Sequence, residues 1–183
     1  MRIIAGKYKN SLLKAPIGNT TRPTSSRLRG AVFNILMQHI EGARFLDLFA
    51  GSGSMGLEAL SRGAAFATFV EENRDSARVI QENITSLGVK HQTMVLCGDC
   101  AQQLPRLAQL EAPYSIIYVD PPYETPITNT VLEAIDNSSI LESGGLLFLE
   151  ESKRFEVPQL ATLKFKKSRS VGRSTLYEFV RAI

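Results

Sequence analysis

Short apolar runs alternate along this chain with longer segments in which hydrophobic residues recur at helical spacing. The apolar runs predict five strands, because each has the length and composition of a buried strand. Between the runs, amphipathic segments predict helices, the clearest of which ends at Gly88. Strands that alternate with helices predict an α/β domain whose mostly parallel sheet is covered by helices on both faces. The predicted strands are 45–48, 67–70, 93–96, 116–119 and 146–149.

The two ends of the chain depart from this alternation. Residues 1–24 are rich in Gly, Pro, Asn and Thr, which predicts a small extended or hairpin appendage. Ser25 or Ser26 can cap a following helix that continues to about His39. Beyond the fifth strand, the pattern around Gly172 predicts an antiparallel hairpin over 160–170 and 175–181. We therefore expect an appendage over 1–24 and one main domain over 25–183.

Composition places the chain among ordinary globular domains. It has 183 residues, of which 44% are hydrophobic and 21% are charged. No segment has the length of a membrane span, and the first residues lack the apolar core of a secretory signal, so we expect a cytoplasmic protein with no membrane partner. Cys97 and Cys100 have no second pair of ligands, which favours two reduced thiols and no metal.

Charge is unevenly distributed along the chain. Residues 1–40 contain seven basic residues and no acid, and residues 153–183 contain eight basic and two acidic residues. The intervening segment contains six basic and sixteen acidic residues. This segregation predicts that both ends contribute to a basic face for a polyanion. Tyr8, which lies between Lys7 and Lys9, adds the aromatic that nucleic-acid surfaces often carry.

The first predicted strand runs into a glycine-rich turn with the spacing G-x-G-x-x-G, and a helix is predicted after the turn over 57–62. Such a turn fits a nicotinamide dinucleotide and S-adenosylmethionine about equally. Asp47 beside the turn would repel a pyrophosphate but favour the ammonium of a methionine moiety. The residues that we expect to bind the cofactor are Asp47, Phe49, Ala50, Gly51, Gly53, Gly56, Glu71, Asp99 and Cys100.

Acidic residues follow four of the predicted strands, namely Asp47, Glu71, Asp99 and Asp120. Ligands of α/β sheets gather at the carboxyl ends of the strands. Glu71 is placed to accept hydrogen bonds from ribose hydroxyls, and Asp99 from an adenine amino group. The four acids therefore predict one ligand-binding edge.

The tetrad Asp120-Pro121-Pro122-Tyr123 follows the fourth strand directly. Two consecutive prolines cannot continue a sheet ladder, so they hold the backbone stiffly at the strand end. The Asp120 carboxylate and the Pro121 carbonyl can accept two N–H bonds from a heterocyclic amine, while Tyr123 can stack on its ring. We therefore expect all four residues to be catalytic, in alkylation of a nucleobase amine.

Several functions remain open from these motifs alone. A nucleobase N-methyltransferase uses both the glycine turn and the tetrad. The tetrad serves adenine N6 as well as guanine N2, so an adenine-N6 methyltransferase acting on DNA or RNA is an alternative. A nicotinamide-dependent oxidoreductase would leave the tetrad unexplained, and a non-catalytic RNA-binding or ribosome-assembly factor would leave the strand-end acids unexplained.

Over essentially its whole length the chain resembles the bacterial methyltransferases that modify the exocyclic N2 of a guanine in small-subunit (16S) ribosomal RNA. The stretch Thr21-Arg-Pro-Thr24 ahead of the first helix is the most family-specific part. Gly30 departs from the family, which tends to carry a larger, helix-favouring residue there. The other segments that carry the resemblance are 2–9, Arg27, Arg29, 32–34, 47–53, 56–60 and the tetrad.

The resemblance implies a Rossmann-like class I methyltransferase fold with S-adenosylmethionine as the methyl donor. It also implies a substrate of small-subunit ribosomal RNA within an assembled or assembling particle. We expect a monomer that contacts RNA through its amino-terminal appendage and first helix. The expected RNA-binding residues are Lys7, Lys9, Arg22, Thr24 and Arg27.

Overall fold

The computed structural model describes residues 1–16, 26–109 and 112–183, and it is built around a seven-stranded sheet. The strand order is β3-β2-β1-β4-β5-β7-β6. The first five strands are parallel to one another, whereas β7 and β6 form an antiparallel hairpin at one side. The predicted parallel sheet with a carboxyl-terminal hairpin is confirmed. The strands are β1 Arg44–Leu48, β2 Phe66–Glu71, β3 Thr93–Cys97, β4 Tyr114–Val119, β5 Leu141–Glu151, β6 Leu163–Val171 and β7 Ser174–Arg181.

The described residues contain five α-helices, of which the first precedes β1 and the other four connect strands. They are α1 Ser26–Ile35, α2 Ser54–Ser61, α3 Arg74–Leu87, α4 Cys100–Leu107 and α5 Ile127–Asp136. The Asn73 side chain caps α3 by accepting hydrogen bonds from two backbone amides of its first turn. Gly88 ends α3 with a φ of 71°, a left-handed conformation that favours glycine, as the sequence predicted.

The helices cover both faces of the sheet, because side chains alternate between the faces along each strand. Phe148 of β5 packs in one apolar cluster, and its neighbours Leu147 and Leu149 pack in the other. Helices α1, α2 and α3 pack on the first cluster, and α4 and α5 pack on the second. The predicted helix layers are therefore present.

The strand order reverses between β1 and β4, which lie side by side in the centre of the sheet. In open α/β sheets, ligands bind in the crevice at the carboxyl ends of the strands where the order reverses. The glycine-rich turn follows β1, and the tetrad follows β4. The fold therefore brings the two sequence motifs to one crevice.

The segment 1–16 folds back on itself and docks against α1, α2 and α3. Arg2 and Leu12 form an antiparallel bridge, and Asn10 turns the chain with a φ of 69°. Ile3 and Leu13 are buried in the core cluster beneath it. Over its described part, this segment therefore packs closely on the rest of the fold.

Two negative findings concern the described ranges, 1–16, 26–109 and 112–183. No helix in them is both long enough and apolar enough to cross a bilayer. No group of three or more His, Cys, Asp and Glu side chains in them could hold a metal ion.

Candidate active site

The glycine-rich turn after β1 is held in an unusual backbone conformation. Phe49 has a φ of 59°, which is uncommon for a bulky residue and indicates a constrained turn. Gly51 has a φ of 57°, and a Cβ added there would meet nothing within 4 Å. The Ala50 amide donates to the carbonyl of Val70 at 3.1 Å, which ties the turn to β2. The turn thus has one anchored side and one open side on which a ligand can approach the backbone.

Asp47 of β1 supports this turn from inside. Its side chain is 2% exposed, and its Oδ2 accepts a hydrogen bond from the Gly56 amide at 3.0 Å. Burial raises the pKa of Asp47 to about 8, and the nearby Glu71 carboxylate adds to the increase, while the bond from Gly56 opposes it. A Cβ at position 56 would lie 2.3 Å from the Phe69 ring, so glycine lets α2 approach β2 closely.

Glu71, at the end of β2, is nearly buried and fixes both neighbouring loops. Its Oε2 accepts from the Gly51 amide at 2.7 Å, and its Oε1 accepts from the Asn73 amide at 2.9 Å. Each carboxylate oxygen has a further lone pair, so Glu71 can still accept hydrogen bonds from a ligand hydroxyl. The predicted ribose contact is compatible with this arrangement and stays a prediction.

Asp99 and Cys100 follow β3, at the next strand end. Asp99 caps α4 by accepting from the Gln102 amide at 2.9 Å. Burial raises the pKa of the Cys100 thiol to about 12, although a hydrogen bond with the Phe49 backbone opposes the increase. Cys100 is therefore a neutral thiol, and its hydrogen bond with the Phe49 backbone supports the glycine-rich turn. Both cysteines are free thiols, as the sequence predicted.

The tetrad leaves β4 beside the glycine-rich turn. Leu48 and Val119 are partners in the parallel register, and the next amide, that of Asp120, donates to the Leu48 carbonyl at 3.3 Å. Asp120 is half-buried and Pro121 is buried, whereas Pro122 is exposed. The carboxylate therefore stands at the crevice edge, next to the start of the cofactor turn.

Tyr123 is held by its hydroxyl group. The hydroxyl donates to Oε1 of Glu150 at 2.6 Å and lies 2.7 Å from Oγ of Ser174. Glu150 lies on β5 and Ser174 on β7, and sequence reasoning missed both. A pair of consecutive glutamates directly after an apolar strand was the available signal, because acids at such a position must find partners or remain in water.

The predicted RNA-binding residues fall into different places. The Lys7 amide donates to the Ser61 carbonyl at 2.7 Å, which places exposed Lys7 and Lys9 at the far end of α2. Because α2 has eight residues, that end lies about 12 Å from the glycine-rich turn. Arg27 is exposed in the first turn of α1. Arg22 and Thr24 lie outside the described residues.

A second set of cations lies near the tip of the β6–β7 hairpin. Arg169 and Arg173 are exposed there, and Arg173 directly precedes Ser174, which touches Tyr123. The carboxyl-terminal basic segment, which the charge pattern singled out without naming residues, thus reaches the rim of the tetrad.

Comparison with known proteins gives consistent matches over nearly the whole chain. The family model described as Conserved hypothetical protein 95 matches residues 1–180. The Bacillus subtilis protein YlbH, provisionally named an rRNA methyltransferase, is 35% identical over 159 residues, which cover 87% of this chain and 86% of that protein. The ribosomal RNA small subunit methyltransferase D of Escherichia coli strain K12 is 33% identical over 158 residues, covering 86% of this chain and 78% of that protein.

A solved structure gives the same result for the fold. The Escherichia coli protein yhhF superimposes with a TM-score of 0.85 and 30% identity, covering 100% of this chain and 98% of that chain. The predicted Rossmann-like class I methyltransferase fold is thereby confirmed.

Proposed function

The chain belongs to the family described as Conserved hypothetical protein 95, and from this premise we propose that it methylates ribosomal RNA with S-adenosylmethionine as donor. Its target is the exocyclic N2 of a guanine in the RNA of the small ribosomal subunit. The names of relatives at 33% and 35% identity support the reaction class and the ribosomal RNA substrate. The choice of guanine N2 depends on the family resemblance of the sequence, because the tetrad serves adenine N6 as well.

One observation carries the proposal: the cofactor turn and the amine slot begin side by side. The Asp120 amide bonds to the carbonyl of Leu48, the last residue before the glycine-rich turn. A donor held on that turn and a base held on the tetrad are therefore neighbours. Methyl transfer needs this proximity, because orientation of the two reactants supplies much of the rate enhancement.

The residues around the turn fit S-adenosylmethionine by their chemistry. Gly51 has open space where a side chain would stand, so a ligand can contact the backbone there. A cationic amino group of the ligand would favour the ionised form of buried Asp47, whose pKa is raised in the free protein. Glu71 has acceptor capacity for ribose hydroxyls, and Asp99 for an adenine amine. When bound, S-adenosylmethionine supplies an electrophilic methyl group on a sulfonium centre.

The tetrad prepares the nucleophile. The guanine N2 lone pair is delocalised into the ring, which makes the amine a poor nucleophile. When the Asp120 carboxylate and the Pro121 carbonyl accept its two N–H bonds, the lone pair is localised and directed out of the ring plane. Gain of the methyl group would leave the amine nitrogen cationic and therefore strongly acidic, and Asp120 or water would take the proton that it loses. Tyr123 holds the base flat by stacking, which requires a guanine exposed in a loop or flipped from a stem.

The partner that we propose is small-subunit ribosomal RNA in an assembled or assembling particle, bound by a monomeric enzyme. The described residues form one α/β domain without a separate RNA-recognition domain, so features of the particle would help to select the guanine. The comparison of particle with stripped RNA in the experiment below tests this directly.

The test is methyl transfer from labelled S-adenosylmethionine to unmodified small subunits, their stripped RNA and duplex DNA, followed by nucleoside digestion. We expect N2-methylguanosine from the subunits. Asp120→Ala should reduce transfer at least about a hundredfold while cofactor affinity, measured by calorimetry, stays within about twofold. Glu142→Ala is the matched control, because Glu142 is an exposed carboxylate near the start of β5, at the opposite edge of the sheet.

Other products would redirect the assignment. N6-methyladenine would identify an adenine-N6 methyltransferase, which uses the same tetrad chemistry. No transfer to any of the three substrates, with cofactor still bound, would favour a non-catalytic RNA-binding or assembly factor. Loss of cofactor affinity together with activity in Asp120→Ala would contradict the separate roles given to the turn and the tetrad.

A further inference from the structure

Glu150 is a buried carboxylate that gathers hydroxyl groups from three other parts of the fold. Its side chain is 5% exposed at the end of β5. Oε2 accepts from the Tyr118 hydroxyl at 2.8 Å, and Oε1 accepts from the Tyr123 hydroxyl and from Ser174 Oγ, both at 2.6 Å. These are the short distances of charge-assisted bonds.

The three groups around Oε1 form a triangle that limits how Tyr123 can move. Tyr123 and Ser174 are also 2.7 Å apart, and each hydroxyl has a single proton. Two of the three contacts can therefore be hydrogen bonds at one time. In each of the three possible arrangements of the two protons, the Tyr123 oxygen keeps at least one hydrogen bond to the cluster, which restrains the hydroxyl end of the ring.

The backbone after Tyr123 is fixed from the other face of the sheet. Glu151 is 0% exposed, and its Oε1 accepts from the Glu124 amide at 3.0 Å and from the Thr128 hydroxyl at 3.2 Å. Glu124 has a φ of 57°, a left-handed conformation that persists only when its surroundings enforce it. Consecutive strand residues point to opposite faces, so the two glutamates hold the tetrad loop from both sides.

We propose that Glu150 is a positioning residue for methyl transfer, which fixes the Tyr123 ring at the angle at which the target base stacks. This inference rests on the proposed function, in which Tyr123 holds the base flat. Glu150 itself contacts no reacting atom. It acts through the Tyr123 hydroxyl, a group that stacking does not otherwise use.

The structure supplies a control for a purely structural role. Tyr118 is 1% exposed, and its hydroxyl bonds to the same carboxylate, but it lies within β4 and not in the tetrad loop. A carboxylate that only stabilises the core would be disturbed equally by loss of either phenol hydroxyl. If the carboxylate positions the base, only loss of the Tyr123 hydroxyl should lower the rate of methyl transfer.

The experiment is a double-mutant cycle on the substrate that wild type methylates, with kcat, RNA KM, cofactor Kd and thermal stability measured for each variant. Tyr123→Phe and Glu150→Met should each lower kcat by about tenfold to a hundredfold, because misplaced reactants lose orientation. The double variant should lose no more than the worse single variant, since both remove the same anchor. Cofactor Kd should stay unchanged throughout.

Tyr118→Phe should lower the melting temperature but keep kcat within about twofold of wild type. Glu150→Gln, which retains an acceptor oxygen, should restore most of the kcat lost in Glu150→Met. Losses that multiply in the double variant, or a Tyr118→Phe enzyme as slow as Glu150→Met, would overturn the positioning role while leaving the methyltransferase assignment intact. A wild-type enzyme that transfers no methyl group would instead overturn the proposed function.

Discussion

Asp47 makes the cofactor turn sensitive to pH through a single buried carboxylate. Its pKa is raised from an ordinary 3.8 to about 8, first by burial and then by the Glu71 carboxylate. Between these two values the folded chain retains a proton that the unfolded chain has lost. The contribution of Asp47 to stability is therefore complete below pH 3.8 and decreases as pH rises through about 8.

Asp47→Asn should remove this dependence, because the amide oxygen can still accept from Gly56 but no longer ionises. Urea unfolding of the cofactor-free protein at pH 5, 7 and 8.5 measures the effect. We expect the free energy of unfolding of the variant to increase relative to that of wild type as pH rises, with a slope of up to about 1.4 kcal/mol per pH unit. A difference that is constant with pH would show that Asp47 ionises normally in the folded protein.

Helix α2 links the cofactor turn at its start to the amino-terminal segment along its length. Glu58 of α2 is 0% exposed and accepts from the amides of Ile4 and Ala5 at 2.8 and 3.0 Å. It also pairs with Arg62 at 2.7 Å and with buried Arg29 at 3.6 Å. Docking of the segment 1–16 thus depends strongly on one carboxylate within a helix.

Glu58→Gln should lower the free energy of unfolding by about 3–5 kcal/mol, because it leaves buried Arg29 without its counter-charge. The NH2 group of the substituted side chain would also face the backbone amides of Ile4 and Ala5, which are themselves donors. Glu82→Gln is the matched control, since its pair with Lys14 lies at the surface and should leave stability unchanged in urea unfolding. Equal stability of the two variants would mean that water or local structural relaxation replaces the interaction of Arg29 with Glu58.

Sequence pattern located every strand of the described sheet, the start of α1 and the end of α3. Its errors occur where tertiary packing overrides local preference. The sequence predicted the helix after the turn to begin at Leu57, but α2 begins at Ser54. Its first turn contains Gly56, which disfavours a helix locally and is needed for contact with the Phe69 ring. The fifth strand was predicted as 146–149, but β5 spans Leu141–Glu151, since glycines and glutamates interrupt the apolar pattern at both ends.

The residues of the candidate site likewise divide into those that the local sequence predicts and those that it does not. The tetrad and the glycine-rich turn were predictable because each is contiguous in sequence and has its own chemistry. Glu58 and Glu150 were not, because their burial is compensated by partners far along the chain, such as Ile4 and Ser174. A local pattern assigns an isolated glutamate to the surface, and only the folded arrangement supplies the donors that make its burial possible.

Across the whole molecule, the two basic ends of the chain meet, because α1 packs against β6. This arrangement supports the predicted basic face but divides it into a near and a far part. Arg173 directly precedes Ser174, which contacts Tyr123, and Arg169 lies on the same hairpin. Lys7 and Lys9 lie at the far end of α2. RNA that reaches both pairs must extend past the crevice by about the 12 Å length of α2.

The salt dependence of RNA binding separates these two parts, since each lost phosphate contact reduces the slope of log K against log salt by roughly 0.7 for single strands. Arg169→Ala/Arg173→Ala should lower the slope by roughly 1.4 on both a short target oligonucleotide and the full small-subunit RNA. Lys7→Ala/Lys9→Ala should lower it only on the full RNA, because the short strand ends before the far part. Exposed Lys90 and Arg106, outside both basic segments, provide the control pair and should leave both slopes unchanged. An equal loss for the lysine pair on the short strand would show that RNA follows α2 directly from the tetrad, so that the amino-terminal segment belongs to the target site itself.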